Sequence, residues 1–372
     1  MTYATISGWG KCLPPAVLDN NDLATFLDTN DEWIYSRTGM KERRISHVDL
    51  CELGYVAAAR AIACAGLEAD DIDMILFGST SFSEFAPNTA SYVQKRLGAS
   101  RAACMDLNTA CTSFMYGLTT GTAMIRSGVF KRVLVIGGEV VSKLMDWENR
   151  NVAVLFGDGC AAMVLEASDE KEGVISETLG CYGEHRDILK VLGYGGQYTN
   201  QNIMLGDVQW NFEGQDIFKR AVAGMNKASK ETLAKAGCGV EDINLVVPHQ
   251  ANVRIIEAVG KKLGVDADKV FVNIERYGNM SAATAPIALI EAVEEGRVNP
   301  GDLVLQPAFG AGLTWSSHLI RWGQRVSPLA ESDAELAPCE KTALELVNEM
   351  RTIKNAAKAA RKANNNELVA VY

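Results

Sequence analysis

The chain has 372 residues, of which 48% are hydrophobic and 22% charged, and its formal net charge is −10 at pH 7. This length and composition allow roughly two or three domains with a sizeable core. The acidic balance argues against general nucleic-acid binding, because a basic surface supplies most of that affinity, so any acidic partner must dock on a local basic patch.

Neither the start of the chain nor its apolar stretches carry a targeting or membrane pattern. The first residues lack the basic stretch and apolar run of a secretory signal. The strongly apolar stretches at 133–136 and 245–247 are far shorter than the ~20 residues that cross a bilayer. Nine cysteines without CxxC spacing do not resemble a disulfide framework. We therefore expect a soluble, cytoplasmic protein with no membrane partner.

Helical patterns alternate with short β-branched runs along the chain, which is typical of an α/β protein with parallel sheets covered by helices. The sequence AxAGxxxxDI begins at Ala63 and again at Ala234, an offset of 234 − 63 = 171 residues. Each copy predicts a helix that ends at a glycine, a turn and a buried strand.

A second landmark recurs in the same order, because the FGxG sequence at 156–159 returns at 309–312. The repeats predict two similar halves, residues 1–170 and 171–322. A duplicated core of this kind would place the catalytic groups at the seam between its halves.

Cys111 lies between an apolar run at 102–107, which predicts a short buried strand, and a run of small residues at 113–126, which predicts a helix. Its sulfur is therefore expected at a helix N-terminus. The helix dipole and free backbone N–H groups there favour thiolate and lower the pKa of a thiol from about 8.5. Position alone also fits a buried structural cysteine. The cysteines that we interpret as core residues are Cys64, Cys104 and Cys160.

His249 is the histidine that the sequence pattern favours as functional among the four in the chain. It follows a buried-strand pattern in VVPHQAN and precedes a helical pattern at 252–263, so it lies where a strand ends. Ligands bind at that edge of open parallel sheets. For His47, His185 and His318 we favour the ordinary interpretation of a solvated or hydrogen-bonded histidine.

Asn279 lies in YGNMSAATAP, a predicted loop that leads into a helix at 282–295. Cys111, His249 and Asn279 on three strand ends could form one constellation. Papain-like proteases also place His and Asn about 130 to 150 residues after their Cys, so a protease remains an alternative. The residues around Cys111 read TACTS, however, rather than the papain sequence CGSCW.

The pattern changes after Trp322, where a polar stretch with two prolines precedes an amphipathic helical pattern at 342–363 with a basic end. We interpret residues 323–372 as an appendage. It could cover a surface, join a subunit interface or fray.

Six ordered motifs in residues 1–322 resemble those of the beta-ketoacyl-acyl-carrier-protein synthase III family. The motifs are DEWIYSRTGMKERRI (31–45), DLNTACTSFMYGL (106–118), LFGDG (155–159), HQANVRII (249–256), YGNMSAATAP (277–286) and FGAGLTWS (309–316). The resemblance implies a duplicated thiolase-type α/β fold with a layered αβαβα core, and a homodimer. It also implies a catalytic triad of Cys111, His249 and Asn279.

The family's reaction begins when the cysteine takes an acyl group from acyl-CoA, with the oxyanion held by the backbone N–H groups of Cys111 and Ala311. Malonyl-acyl carrier protein then loses CO2. Its enolate, stabilised by His249 and Asn279, attacks the acyl-enzyme to give a beta-keto thioester. No metal or redox cofactor is implied. Many members have glycine where this chain has Ala311, and alanine suits that role only if its φ stays negative.

The resemblance also implies binding surfaces. The adenine of CoA would lie between Trp33 and Arg150, because indole and guanidinium planes both stack on a base. Two further residues near the nucleotide would be Thr29 and Arg37. The acidic carrier protein would dock on three basic residues of one helix, Arg254, Lys261 and Lys262.

The acyl pocket differs from that of acetyl-primed members, which often carry Phe where this chain has Ala86, next to Phe85. In those members the ring closes the pocket across the dimer. A smaller residue would leave room for medium-length acyl groups, although Phe85 or the segment 188–210 could refill the space.

Two alternatives remain within the same fold. A specialised relative could make an alkyl quinolone precursor, a polyketide starter or a head-to-head hydrocarbon with the same triad. A non-catalytic chain-length partner of a synthase pair is disfavoured, because such partners typically lack the nucleophile and Cys111 is present here.

Overall fold

The computed structural model describes residues 2–196 and 208–363, with side chains described as far as residue 356. In these ranges the strands are β1 (Tyr3–Cys12), β2 (Ala16–Asp19), β3 (Glu42–Ile45), β4 (Met74–Gly78), β5 (Ala103–Leu107), β6 (Arg132–Glu139), β7 (Gly159–Ser168), β8 (Gly173–Cys181), β9 (Leu189–Leu192), β10 (Gln209–Phe212), β11 (Leu245–Val246), β12 (Leu303–Gly310) and β13 (Thr314–Arg321).

The α-helices of the same ranges follow in chain order. They are α1 (Asn20–Ala24), α2 (Asp31–Thr38), α3 (Leu50–Ala65), α4 (Thr89–Leu97), α5 (Ser113–Arg126), α6 (Arg150–Ala153), α7 (Gly214–Ala236), α8 (Val253–Leu263), α9 (Ile274–Tyr277), α10 (Thr284–Glu294) and α11 (Ala343–Ala363). In this part of the chain, none of the helices is both long enough and apolar enough to span a bilayer.

The two main sheets repeat one topology. The first has the strand order β1-β7-β6-β4-β5, and the second, read from its other end, has the order β8-β13-β12-β11. In both sheets the first two pairings are antiparallel and the third is parallel. Val270 forms an isolated parallel bridge to β11, in the place that β5 takes beside β4.

The repeated sequence pattern takes the same local structure in both copies, as predicted. α3 ends at Gly66 with φ 69°, and α7 ends at Gly237 with φ 68°, the left-handed conformation that glycine adopts most readily. A 3-10 turn follows each glycine, at Ala69–Asp71 and at Val240–Asp242, before β4 and β11 begin.

Two helices form the central layer between the sheets. Every residue of α10 from Thr284 to Val293 is buried, and all of them except Thr284 and Glu291 are apolar. α5 and α10 belong to one apolar cluster that includes Phe114, Leu118, Ile287 and Leu289. α3 covers the outer face of the first sheet and α7 that of the second, so the expected αβαβα layering is confirmed.

β5 differs from its prediction. The apolar run at 102–107 predicted a buried strand, but the side chains of Ala103–Leu107 are exposed or half-buried. The reason is that β5 lies at the edge of the first sheet and pairs with β4 alone. Its second edge is open in the single chain.

Candidate active site

The three predicted catalytic residues line one cavity of about 220 Å³, together with Trp33 and Arg37. We call it the entry cavity. The residues reach it from three segments: Cys111 before α5, His249 after β11, and Asn279 after α9. The first comes from one repeated half of the topology and the other two from the second half, so the cavity lies at the seam.

Cys111 lies in a 3-10 turn, Ala110–Thr112, that leads directly into α5. Its sulfur is therefore at a helix N-terminus, as predicted. A Cβ at Gly310 would lie 2.9 Å from the backbone nitrogen of Cys111, too close for a side chain. Glycine at this position lets the 309–312 turn approach the nucleophile.

Ala311 in the 309–312 turn meets the condition for an oxyanion donor, which is that its φ is not positive. Within the described ranges, positive φ in residues other than glycine occurs at Ala110 (53°) and Ser281 (48°), so φ of Ala311 is not positive. Both strained residues flank the site, where such conformations are most often retained.

The pKa of Cys111 shifts in the direction opposite to the prediction. Burial raises the pKa of this thiol to about 12, with a smaller contribution from the carboxyl of Glu139, while a hydrogen bond with Ser281 opposes the rise. The prediction of a lowered pKa is therefore wrong for the unliganded protein. It considered the helix N-terminus and omitted the loss of hydration around the sulfur.

Glu139 is a fully buried carboxyl at the end of β6. It accepts hydrogen bonds from Ser79 Oγ (2.9 Å), the backbone N of Thr80 (3.1 Å), Ser81 Oγ and Ser281 Oγ (3.0 Å). Burial raises its pKa, and the hydroxyl donors limit that rise. Ser281 has one hydroxyl proton, so Glu139 and the sulfur of Cys111 compete for the same donor.

His249 is 2% exposed, and burial lowers its pKa to about 3, so the ring is neutral at physiological pH. Its Nδ1 forms a hydrogen bond with the hydroxyl of Thr284. That hydroxyl lies 3.0 Å from the carbonyl oxygen of Ser281, which can only accept, so Thr284 accepts from Nδ1–H. Nε2 then carries a lone pair, and it has no hydrogen-bond partner within the described residues.

Asn279 does not follow a strand, contrary to the prediction. It comes after the short helix α9 and forms an isolated bridge with Phe156. The strand is absent here because the preceding segment makes a single bridge, from Val270, before it turns into α9. Its side-chain oxygen accepts from the backbone N of Ser281 at 2.8 Å, so its NH2 group is left as the donor.

A second cavity of about 440 Å³ also touches Cys111, and we call it the rear cavity. Its wall includes Ala311, Tyr194 and Trp210. Cys111 thus lies where two cavities meet, with His249 and Asn279 on the entry side.

The entry cavity opens beside a cluster of predicted nucleotide contacts. The guanidinium of Arg37 lies 4.5 Å from the ring centroid of Trp33, and that of Arg150 lies 4.7 Å from it. The hydroxyl of Thr29 is buried without a partner in the described structure, and Thr29 follows Asp28, whose backbone oxygen accepts from Arg150. The structure brings the four predicted residues to the region around this opening.

The three predicted docking residues all lie on α8 and are exposed. Arg254 also donates from Nη2 to the backbone oxygen of Ser36 at 2.8 Å, which ties α8 to α2. Arg254 and Lys261 are seven residues apart and share a helix face.

Phe85 and Ala86 do not reach Cys111 within one chain. Both are exposed, Phe85 to 66%, and its ring stacks on Tyr194 with the centroids 5.6 Å apart. Tyr194 in turn lines the rear cavity. Of the segment 188–210, which was expected to narrow the pocket, residues 197–207 lie outside the described structure.

Sequence reasoning missed three residues that contact the predicted triad or its partners, Ser281, Thr284 and Glu139. The first two lie inside the motif YGNMSAATAP and carry hydroxyls three residues apart in a helix-start pattern, so they could have been found. Glu139 had a weaker signal, a single charge at the end of the apolar run RVLVIGGE.

The duplicated, layered fold is that of the thiolase-type condensing enzymes, and comparisons with known proteins narrow the class. The family model for 3-oxoacyl-[acyl-carrier-protein] synthase III matches residues 105–183, and the model for the C-terminal part of that enzyme matches 233–322. A Vibrio vulnificus (strain YJ016) protein named beta-ketoacyl-[acyl-carrier-protein] synthase III 2 is 52% identical over 345 residues, 93% of this chain and 95% of the relative.

Solved structures agree with these matches. The crystal structure of 3-oxoacyl-[acyl-carrier-protein] synthase III from Aquifex aeolicus VF5 is 41% identical, with a TM-score of 0.80 over 86% of this chain and 100% of that one. The priming beta-ketosynthase of the R1128 polyketide pathway is 30% identical, with a TM-score of 0.81 over 87% and 97%. The chain belongs to the beta-ketoacyl-[acyl-carrier-protein] synthase III family, and it is a condensing enzyme of the acyltransferase class.

Proposed function

We propose that the protein joins an acyl-CoA starter to malonyl-acyl carrier protein through an acyl group on Cys111, and so begins fatty-acid chains. The observation that carries this proposal is the position of Cys111 at the junction of two cavities, beside His249 and Asn279. The entry cavity would hold the pantetheine arm of each thioester in turn, and the rear cavity the acyl chain.

In the first step the sulfur of Cys111 attacks the thioester carbon of acyl-CoA, and the backbone N–H groups of Cys111 and Ala311 stabilise the oxyanion. The thiol is protonated in the resting protein, so its proton must leave as the bond forms. Nε2 of His249 carries a lone pair on the same cavity and can take that proton, then pass it to the departing CoA sulfur.

In the second step malonyl-acyl carrier protein loses CO2, and the thioester enolate attacks the acyl group on Cys111. The NH2 group of Asn279 can donate to the enolate oxygen. His249 can donate as well when the hydroxyl of Thr284 turns towards Nδ1, which places the ring proton on Nε2. The products are CO2 and a beta-keto thioester on the carrier protein. The sulfur of Cys111 leaves as a thiolate and takes up one proton from solvent, which restores the resting thiol.

The remaining features of the proposal follow from this cycle. No step exchanges electrons with an outside oxidant or reductant, and the hydrogen-bond donors stabilise both oxyanions, so the proposed cycle uses no resident metal or redox cofactor. CoA would bind at Trp33 and Arg150 with Thr29 and Arg37 nearby, and the carrier protein on the basic face of α8. The cytoplasmic location stays a prediction.

We also propose a homodimer and two halves divided near residue 170. The open edge of β5 supports the first, because a half-buried strand with an unpaired edge is suited to pairing with a second copy. The division into two halves is supported by the repeated sheet topology. The first sheet's last strand, β7, ends at Ser168, and the second sheet's first strand, β8, begins at Gly173. Residues 323–372 would form the appendage.

Polyketide priming is a second candidate, because the similar R1128 enzyme is a priming beta-ketosynthase. The two functions share the first half-reaction and differ in the carrier protein or in the starter.

Mass spectrometry of the intact protein tests the proposal directly. The protein is mixed first with acyl-CoA and then with malonyl-acyl carrier protein. We expect the mass to rise by one acyl group, located on the Cys111 peptide, and to return to its starting value as the beta-keto product forms. The control is Cys111→Ala, which should show no adduct. An adduct on another residue, or an adduct that malonyl-acyl carrier protein leaves in place, contradicts the proposal.

A further inference from the structure

The appendage beyond Trp322 lies outside both family matches, which end by residue 322, so its role does not follow from the family. The described part of the appendage packs against residues of the first half of the chain. The backbone N of Leu329 donates to the oxygen of Cys64 at 3.0 Å, and His47 Nε2 lies 2.7 Å from the oxygen of Ala337. This path brings α11 to the strands β2 and β3.

α11 shares its apolar contacts with the region around the nucleotide opening. Val347 is fully buried and Ala343 is 1% exposed, and both belong to the apolar cluster that contains Trp147 and includes Trp33 at its edge. The appendage is therefore packed into the structure that surrounds the opening.

Two cations of α11 pair with two carboxylates that come just before Arg150 in the chain. Arg351 Nε lies 3.1 Å from Glu148 Oε1, and Lys354 Nζ lies 2.8 Å from Asp146 Oδ1. Lys354 is 13% exposed and Asp146 19%, so this pair is shielded from solvent. Such pairs lose less strength to solvent screening than pairs on an open surface.

A second contact of α11 reaches the segment between α1 and α2. The guanidinium of Arg351 lies 4.3 Å from the ring centroid of Phe26, and Phe26 meets Trp147 edge to face at 6.4 Å. Phe26 is two residues from Asp28, whose backbone oxygen accepts from Arg150. α11 thus touches both segments that hold Arg150 in its place over Trp33.

We propose that α11 is a positioning element of the acyl-CoA site: Arg351 and Lys354 fix the 146–150 loop so that Arg150 faces Trp33, and they cancel two negative charges beside the path of the CoA phosphates. This inference rests on the proposed binding of CoA at Trp33 and Arg150. Uncancelled, Asp146 and Glu148 would repel a ligand that carries several phosphate charges.

The test compares two forms of the same acyl group, the CoA thioester and the N-acetylcysteamine thioester, which lacks the nucleotide. We expect the double variant Arg351→Leu/Lys354→Met to raise KM for acyl-CoA about tenfold, with kcat changed less than about twofold. KM for the N-acetylcysteamine thioester should stay unchanged. A helix that only stabilised the fold would affect both thioesters alike.

The matched control is a pair of single variants. Lys354→Met and Lys341→Met each remove one positive charge and the same length of side chain, but Lys341 pairs with Glu349 at 2.7 Å on the appendage itself. Lys354→Met should raise KM for acyl-CoA, and Lys341→Met should not. Equal effects of the two would overturn the proposal, because charge alone would then explain them.

A third arm tests the two ion pairs from the carboxylate side. In an Asp146→Asn/Glu148→Gln background the helix has no charge to cancel, so adding Arg351→Leu/Lys354→Met should raise KM for acyl-CoA much less than it does in the wild type. An undiminished rise would overturn the proposal. Wild-type protein that condenses neither thioester would instead refute the proposed function, which keeps the two failures distinct.

Discussion

Cys111 and His249 line the same cavity, and burial favours the uncharged form of each side chain. The pKa of the thiol is raised to about 12 and that of the imidazole lowered to about 3. The resting pair is therefore a thiol beside a neutral base, rather than a thiolate beside an imidazolium. In the proposed cycle the thiol proton therefore moves as the acyl thioester is attacked.

The raised thiol pKa predicts how alkylation of Cys111 depends on pH. Because the folded protein holds this proton more tightly than a free cysteine does, the thiolate fraction should grow about tenfold for each pH unit from roughly pH 7 to pH 10. Iodoacetamide labelling of the Cys111 peptide, followed by mass spectrometry, should rise in that way without a plateau. Labelling of the exposed Cys181 in the same digest is the control that the reagent is active. A plateau near pH 7 or 8 would contradict the raised pKa.

The hydroxyl of Thr284 is predicted to control the tautomer of His249. Thr284→Val keeps the shape of the side chain but leaves Nδ1 of a buried ring without a partner, which costs on the order of 1–3 kcal/mol of unfolding free energy. We expect acylation of Cys111 by acyl-CoA to slow ~100-fold, since the base loses its orientation.

The control for that experiment is Thr284→Ser, which keeps the hydroxyl and should acylate nearly as fast as the wild type. Rates come from single-turnover measurements of the acyl-enzyme. If the valine variant matched the serine variant, the hydrogen bond would have no role in the first half-reaction.

At the level of single elements, α8 combines a buried apolar face with an exposed basic one. Ile255, Ile256 and Val259 are buried in the protein, whereas the charged ends of Lys261 and Lys262 lie in solvent. Arg254 differs from the two lysines because it donates a hydrogen bond to the backbone oxygen of Ser36, near the end of α2. Its removal would disturb the position of α2, so the lysines give the cleaner test of docking.

Lys261→Ala/Lys262→Ala is predicted to raise KM for malonyl-acyl carrier protein about fivefold and to flatten its dependence on salt, because attraction to an acidic partner is lost. Acylation by acyl-CoA should stay unchanged. The matched control is Lys219→Ala/Lys230→Ala, which removes two charges from α7. A KM that stayed at the wild-type value would show that the carrier protein docks elsewhere.

At the scale of the whole molecule, the proposed dimer decides what closes the acyl pocket. In one chain Ala86 is exposed, and the ring of Phe85 stacks on Tyr194, which lines the rear cavity. The expectation that residue 86 limits the acyl chain therefore requires a second copy, and it stays a prediction.

The chain-length preference tests that expectation. Each methylene that enters an apolar pocket contributes about 0.8 kcal/mol, so a pocket not blocked by Phe at position 86 should favour longer starters. We expect kcat/KM for acetyl- to decanoyl-CoA to peak beyond about four carbons, and Ala86→Phe to move the peak to shorter chains. Ser83→Phe adds the same ring to the same exposed loop and should leave the peak in place. Wild-type protein that prefers acetyl-CoA would refute the idea.

The sequence by itself determined the family and, through the family resemblance, the layered fold, because that resemblance depends on short motifs. The same motifs predicted Cys111, His249 and Asn279 as the catalytic residues. The duplicated topology also followed from a local signal, the two glycine-capped helix ends at Gly66 and Gly237. Such features are encoded over a few neighbouring residues, so they can be recognised without knowledge of what packs around them.

Only the tertiary structure decided the properties that depend on distant contacts. The direction of the Cys111 pKa shift depends on burial and on Glu139, which is 28 residues away in the chain (139 − 111 = 28). The edge position of β5 depends on which strands pair with it. The contact of Arg351 and Lys354 with the 146–150 loop joins residues about 200 positions apart. No local sequence pattern encodes such a long-range contact, because it depends on how the whole chain packs.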